Sequence, residues 1–330
     1  MATKTEATFS RISEFIRDAE SILITGHIDP DGDSIGSQLA LWRYLTGLKK
    51  KAAVVNQGRI PSKYDFLPYL DRYTEISEYN GDRKFDLAIV VECPTIGRCG
   101  QVAELIGDET RIINIDHHPD NEKYGEIVFL NSDAAAVGEM LTEYFLAIDY
   151  KINRELATLL FVAILTDTGR FRYNSTTRRT MEIAGTLIEH GAEPRKISDS
   201  IYYSFSEPML RLVGRILSDI EFFENGRICL ISLDRETLNE NYSEPAETEG
   251  MAEYTLFGKG VRVGGLLREI NSGLTKVSLR SRDSINVSML AHRHGGGGHI
   301  NASGYTVDLP IKEAREKLLE DLRGIVNDSV

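Results

Sequence analysis

Three acids and a histidine fall within His27-Ile28-Asp29-Pro30-Asp31-Gly32-Asp33. In an extended loop Asp31 and Asp33 point to the same side, since alternate residues share a face. Two carboxylates that close repel each other unless a cation lies between them. An Asp-Pro-Asp-Gly turn with a helix cap is the structural alternative, but such a turn has no need of a histidine and so many acids. A second cluster is Asn114-Ile115-Asp116-His117-His118, where apolar residues run into an acid and two imidazoles and Pro119-Asp120-Asn121 comes next. From three adjacent residues it can supply a metal ligand, a group that orients it, and a phosphate contact; a surface turn holding two histidines is the alternative. Glu92 directly follows an apolar run, and Asp167 stands in Thr166-Asp167-Thr168-Gly169. A lone Glu is usually solvated or capping. An acid at a helix C-terminus opposes the helix dipole and needs a cation or a donor near it.

Chemistry of this kind belongs at the carboxyl ends of strands in an open α/β sheet, and the elements for one are present. Phe9 to Ala19 has helical apolar spacing. Ser21 to Gly26 reads as a buried first strand delivering the His27 cluster, followed by a helix from about Ser34 to Leu48, with Ser34 as its cap and Gly36 allowing close approach. Lys51 to Asn56 reads as a second strand, then a polar, turn-rich stretch extends to Lys84. Phe85 to Val91 reads as a third strand ending at Glu92, Arg111 to Ile115 as a fourth ending at the Asp116 triplet, and Ile127 to Leu130 as another. Helices are expected over Ala134 to Ile148, Arg154 to Leu165 (too apolar all round to be anything but core) and Thr177 to Glu189. Arg98 lies in a Gly-bounded loop, placed to meet an anion or to be solvated. Cys93 reads as a buried packing residue and His190 as a helix end.

A helical connector is expected from Pro194 to about Leu217, and the composition shifts after residue 218. Ile228 to Ser232, Val261 to Leu267, Thr275 to Leu279 and Tyr305 to Leu309 read as strands of a second sheet, closed by a helix over Ile311 to Val326. Between Lys259 and Ile300 seven Lys or Arg, Arg280 among them, face two acids. In a chain of net charge −12 that is a local basic island suited to an anion. It ends in Gly295-Gly296-Gly297-Gly298-His299, a loop whose backbone amides can approach phosphate oxygens. The expected domains are therefore 1–190, catalytic; 191–217, a helical connector and hinge that would gate access; and 218–330, substrate-binding. The expected fold class is α/β, with a mostly parallel N-terminal sheet flanked by helices and a smaller C-terminal α/β domain with a mixed sheet.

The acidic balance argues against a long nucleic-acid track. Cys93, Cys99 and Cys229 form no disulfide framework or zinc-finger spacing, which fits a cytoplasmic protein. No apolar run is long enough to span a bilayer, so no membrane partner is expected. His27, Asp31, Asp33, Glu92, His117 and Asp167 make six ligands, too many for one catalytic ion with open positions and about right for two that share a carboxylate. Two ions suit in-line phosphoryl displacement. Carboxylates with imidazole favour Mn²⁺ or Mg²⁺, with zinc or cobalt as further options.

The set H-x-D-P-D-G-D, an acid closing the third strand, D-H-H, T-D-T-G and a terminal G-G-G-H-x-x-A resembles the DHH phosphoesterase superfamily, in the form with a DHH-associated domain. The resemblance covers nearly the whole chain. It implies that His27 and Asp31 hold one Mn²⁺, that Asp33, His117 and Asp167 hold another, and that the acid at position 92 bridges them. His118 would approach the scissile phosphate and Asp116 would orient the imidazoles. Arg280, His299 and the backbone of Gly296, Gly297 and Gly298 would bind a terminal phosphate or nucleotide. One departure stands out: the family usually has Asp where this chain has Glu92. The implied activity is Mn²⁺-dependent hydrolysis of short RNA oligonucleotides to 5′-mononucleotides and of 3′-phosphoadenosine 5′-phosphate (pAp) to AMP, and a homodimer is an assembly the resemblance allows. The rival enzymes are a cyclic or linear dinucleotide signalling phosphodiesterase and a polyphosphate phosphatase. The rival of another kind is a nucleotide-binding regulator with a weakened metal site.

Overall fold

The computed structural model describes residues 4–81, 84–240 and 245–327. Its residues pack as two units, Met1–Ser204 and Phe205–Val330. In the first unit, α1 (Lys4–Asp18) leads to β1 (Ser21–Thr25), α2 (Gly32–Gly47), β2 (Lys51–Asn56), β3 (Tyr73–Glu75), β4 (Leu87–Val91), β5 (Arg111–Asp116) and β6 (Ile127–Leu130). Helices α3 (Val137–Ala147), α4 (Arg154–Asp167), α5 (Arg178–Glu189) and α6 (Pro194–Tyr202) come after them. The strands form one sheet in the order β3-β2-β1-β4-β5-β6, with every pairing parallel.

The apolar runs of β1 and β4 become central strands because both faces of the sheet are covered. Ile22, Ile24, Leu87, Ile89, Val91, Ile113 and Ile115 join the helical core on one face. On the other, Leu23, Ala88 and Val90 pack with Cys93, Cys99, Val102 and Leu105, the last three from a 3₁₀ stretch over Ile96–Leu105. The chain order reverses between β1 and β4. In open parallel sheets the crevice beyond the carboxyl ends at such a reversal is where ligands bind. Helix α2 lies close on α4 because position 36 is glycine: a Cβ there would stand 2.5 Å from the Leu159 carbonyl oxygen.

The second unit contains α7 (Glu207–Ser218), β7 (Glu221–Phe223), β8 (Ile228–Leu233), α8 (Arg235–Glu240), β9 (Val263–Asn271), β10 (Leu274–Ser281), α9 (Ser288–Arg293), β11 (Gly297–His299), β12 (Ala302–Val307) and α10 (Ile311–Asn327). Its sheet runs β11-β12-β10-β9-β8-β7 and is mixed, with β8 and β9 parallel and the other pairs antiparallel. Helix α10 supplies Ala314, Leu318, Leu322 and Val326 to the core on one face. Helix α7 packs Met209, Leu212 and Ile216 against Ile231, Leu233 and Leu266.

Several sequence expectations are corrected. The cap of α2 is Asp31, not Ser34; its side chain accepts from the amides of Asp33 and Ser34, so the helix starts two residues early. Helix α3 starts at Val137 rather than Ala134, with Ala136 at a cap position where it has no side-chain oxygen to offer. The stretch expected as a connector forms two helices, α6 in the first unit and α7 in the second, broken before Ser206, whose hydroxyl caps α7. Strand β3 lies in the stretch read as turns, of which residues 82 and 83 are outside the described residues. The glycine-rich loop is partly a strand, β11. Strand β7 and helices α8 and α9 were not expected at all. Among the described residues no helix is long and apolar enough to cross a membrane. The three cysteines are free and buried.

Candidate metal centre

Strands β1, β4 and β5 are neighbours, so the loops beyond their carboxyl ends meet at one edge of the sheet. After β1, Gly26 donates its amide to Asn56 Oδ1 (2.8 Å) and Ile28 donates to the Arg98 carbonyl (2.8 Å), which pins the His27 loop between two other strand ends. His27 Nδ1 donates to the Ile28 carbonyl at 2.9 Å, leaving Nε2 facing Asp31, 3.9 Å away. Asp33 is fully buried. Its Oδ2 accepts from the Val137 amide (2.6 Å), and its Oδ1 from the Gly138 amide (2.9 Å) and the Ser37 hydroxyl (3.0 Å). Asp33 thus supplies the cap that Ala136 lacks, its charge set at the positive end of α3.

Glu92 follows β4 in a left-handed backbone conformation, φ 56°, with its amide donating to the Ile115 carbonyl (3.1 Å). That conformation costs a non-glycine residue about 1 kcal/mol or more. It turns the buried carboxylate toward β5, where Oε1 stands 2.9 Å from His117 Nε2 and 3.5 Å from His118 Nδ1. His117 Nδ1 donates to the Ala134 carbonyl (3.0 Å). His118 Nδ1 donates to Asp116 Oδ1 (2.8 Å), and the same oxygen accepts the amides of His117 (2.8 Å) and His118 (3.3 Å). In all three histidines Nδ1 is engaged and Nε2 is aimed elsewhere, the arrangement of ligating imidazoles. Asp167, the last residue of α4, places Oδ2 3.4 Å from His117 Nε2, the counter-group its position demanded.

Ligand atoms of His27, Asp31 and Glu92 lie within 4.8 Å of one another, and so do those of Asp33, His117 and Asp167. The electrostatics are those of groups short of positive charge. Burial, then Glu92 and Asp167, push the Asp33 pKa well above the usual range. Burial, then Glu92 and Asp31, push Asp167 up to about 7 against the pull of His117. Burial would lower the His27 pKa, but Asp31 and Glu92 outweigh it and raise it to about 9. His117 is raised well above its ordinary value, burial again being outweighed, here by Glu92, Asp167 and Asp33. Burial would raise Glu92, but the three imidazoles hold it below the usual range. With protein groups alone, protons gather where cations would sit. Oxygen and imidazole donors in this number fit divalent metal.

The remaining expected residues divide between the units. Arg98 is half-buried in the 3₁₀ stretch after Glu92 rather than in a loop, and its carbonyl holds Ile28. In the second unit, Arg280 on β10 and His299 on β11 both register with Ala302 of β12, so they share one face of that sheet. Arg280 Nη1 donates to the Leu279 carbonyl (2.9 Å), while its buried Nε has no partner. Gly297 begins the edge strand. At Gly296 and Gly298 a Cβ would strike the backbone of β12, so these glycines also serve packing within the domain.

Sequence reasoning missed the amides of α3 that hold Asp33, the Ala134 carbonyl, and a trio beside Asp116, the buried Asn114 and Asn121 with the half-buried Tyr124. The one available signal was Asn114, a lone amide inside an otherwise apolar parallel strand.

Known proteins bear on this geometry. Residues 21–164 match the DHH family, N-terminal domain, and residues 231–328 the DHHA1 domain. A Thermus thermophilus protein named bifunctional oligoribonuclease and PAP phosphatase NrnA is 31% identical over 94% of this chain and 92% of its own length. A Streptococcus mutans protein named probable bifunctional oligoribonuclease and PAP phosphatase NrnA is 30% identical over 90% of this chain and 92% of its own. An exopolyphosphatase-related protein from Bacteroides fragilis superposes with a TM-score of 0.89 at 27% identity, covering 98% of each chain. The domain matches, the near-complete overlap with these relatives and the gathered carboxylates and imidazoles agree: the chain belongs to the DHH phosphoesterase family, carries the DHHA1 domain, and is a hydrolase of phosphoester bonds.

Proposed function

We propose that the protein is a manganese-dependent phosphodiesterase that releases 5′-mononucleotides from RNA dinucleotides and very short oligonucleotides, and that also removes the 3′-phosphate of pAp. The observation that carries this reading is Glu92, whose carboxylate belongs to the His27–Asp31 set and lies 2.9 Å from His117 of the other. His27 and Asp31 would hold one ion, Asp33, His117 and Asp167 a second, and Glu92 would serve both. When bound, two such ions supply Lewis acidity for the attacking water and for the leaving oxygen of an in-line displacement. The names borne by the Thermus and Streptococcus relatives support the substrate class.

The chain's own groups do the rest. Asp116 holds the His118 ring by Nδ1, so Nε2 would be the nitrogen offered to the phosphate. Burial would lower the His118 pKa, but Glu92 and Asp116 outweigh it and raise it, which favours the proton-donating form of the ring. Arg98, whose carbonyl accepts from Ile28 of the His27 loop, would offer its guanidinium to the substrate's phosphate. Residues 1–190 form the catalytic domain and 191–217 the connector. Residues 218–330 bind substrate, with Arg280, His299 and the Gly296–Gly298 backbone taking its terminal phosphate; the unpartnered Arg280 Nε supports that role. Water adds across one P–O bond, and the departing oxygen leaves with a proton.

A timed digestion of 5′-labelled RNA of two to about ten nucleotides, run beside pAp with Mn²⁺, tests this. Labelled mononucleotide should appear fastest from the shortest chains, and pAp should yield AMP. Intact dinucleotides and intact pAp under those conditions would refute the proposal.

A further inference from the structure

We infer that Asn114, Asn121 and Tyr124 are positioning residues, a side-chain truss that fixes the Glu92 carboxylate relative to the Asp116–His118 pair. This rests on the proposed role of Glu92 as the shared ligand. The path is continuous. The Tyr124 hydroxyl donates to the carbonyl of Cys93 (2.8 Å), the residue directly after Glu92. The Asn114 Nδ2 amide reaches the same carbonyl (3.2 Å) and the Tyr124 oxygen (3.2 Å). Asn121 Nδ2 donates to Asn114 Oδ1 (2.8 Å) and to Asp116 Oδ2 (2.6 Å). Asp116 Oδ1 then accepts from His118 Nδ1.

One end of this path is a strained turn and the other is a catalytic imidazole. Glu92 holds a positive φ, a conformation that persists only where its surroundings over-determine it. Two donors on the next carbonyl and the Ile115 carbonyl on its own amide provide that. Asn114 and Asn121 are buried at 0% and 7% exposure and Tyr124 is half-buried, so the two amides of the truss work away from water. Groups that hold ligand-orienting residues typically change metal affinity 10–100-fold when lost.

The test compares Tyr124→Phe and Asn121→Ala with Tyr44→Phe. Tyr44 is a more fully buried phenol, 3.2 Å from the Tyr144 hydroxyl and outside the site. Mn²⁺ affinity by calorimetry, kcat and KM for a labelled RNA dinucleotide, and the urea midpoint are measured on each full-length protein. The two truss variants should weaken Mn²⁺ binding by about tenfold or more and lower kcat by a similar factor, with KM within about twofold. Tyr44→Phe should lose stability and keep both. If the truss variants lose stability as the control does but keep Mn²⁺ affinity and kcat within about twofold of wild type, the inference is overturned and the proposed function stands. If wild type neither binds Mn²⁺ nor turns over, the proposed function falls and takes the inference with it. Tyr124→Phe removes a single oxygen, so it decides the matter even if Asn121→Ala does not fold.

Discussion

Changing Glu92 to Asp restores the acid that the family resemblance leads one to expect, yet it should damage this protein. The carboxylate would retract by about 1.5 Å, the length of the lost carbon–carbon bond. Glu92 Oε1 is now 2.9 Å from His117 Nε2 and 3.5 Å from His118 Nδ1, and a retraction of that size leaves neither within hydrogen-bond reach. The backbone cannot follow, because the Glu92 amide is bonded to the Ile115 carbonyl and the Cys93 carbonyl accepts from Tyr124 and Asn114. A displacement of about 1 Å at a reacting centre can cost about 100-fold. The expectation is a 10- to 100-fold fall in kcat, or about 1.4–2.7 kcal/mol in the barrier, with weaker Mn²⁺ binding by calorimetry and a urea midpoint near that of wild type. A Glu92→Asp protein that turns over a dinucleotide as fast as wild type, or faster, refutes the reasoning: the site would then set its own spacing around the acid it is given.

The geometry carries three further outcomes. Asp33→Ala removes the acceptor that caps α3 and should cost about 1–2 kcal/mol in urea unfolding as well as activity; Asp33→Asn keeps one acceptor oxygen and should recover much of the stability but not the turnover, and equal stability losses would contradict the capping role. His117→Ala should abolish Mn²⁺ binding, whereas His118→Ala should keep it within about threefold and lower kcat by about 100-fold, so loss of metal in both variants would merge the two roles separated here. Mn²⁺ uptake at pH 7 should release about one proton or more, because His27, raised to about 9, must be neutral to ligate and Asp167, raised to about 7, must be ionised. Affinity should therefore climb with pH through this range and fall below it, and calorimetric enthalpies that do not depend on the buffer's ionisation enthalpy would contradict that.

The chemistry was legible in the sequence because its signals are local. Apolar runs at 21–25, 87–91 and 111–115 end in His27, Glu92 and Asp116, and a buried parallel strand needs nothing beyond its own residues to announce itself and its end. The acid and imidazole types, and their sum of six candidate ligands, were equally plain. What the sequence could not decide depends on residues far apart in the chain. Strand β3 is only three half-buried residues at a sheet edge, too short for periodicity to register. The true cap of α2 emerged only when Asp31 and Ser34 competed within one turn. Asp33 caps a helix that begins 104 residues later, and Tyr124 reaches across 31 residues to Cys93. Such partners are chosen by strand order and by the close packing of α2, α3 and α4, which bring together groups that carry no mark of one another in the sequence. Residue type and spacing thus determined what this protein's site is made of, while the distances within it, and the strained backbone that aims Glu92, came from tertiary packing, because only packing can hold several like charges together and fix a strained turn among them.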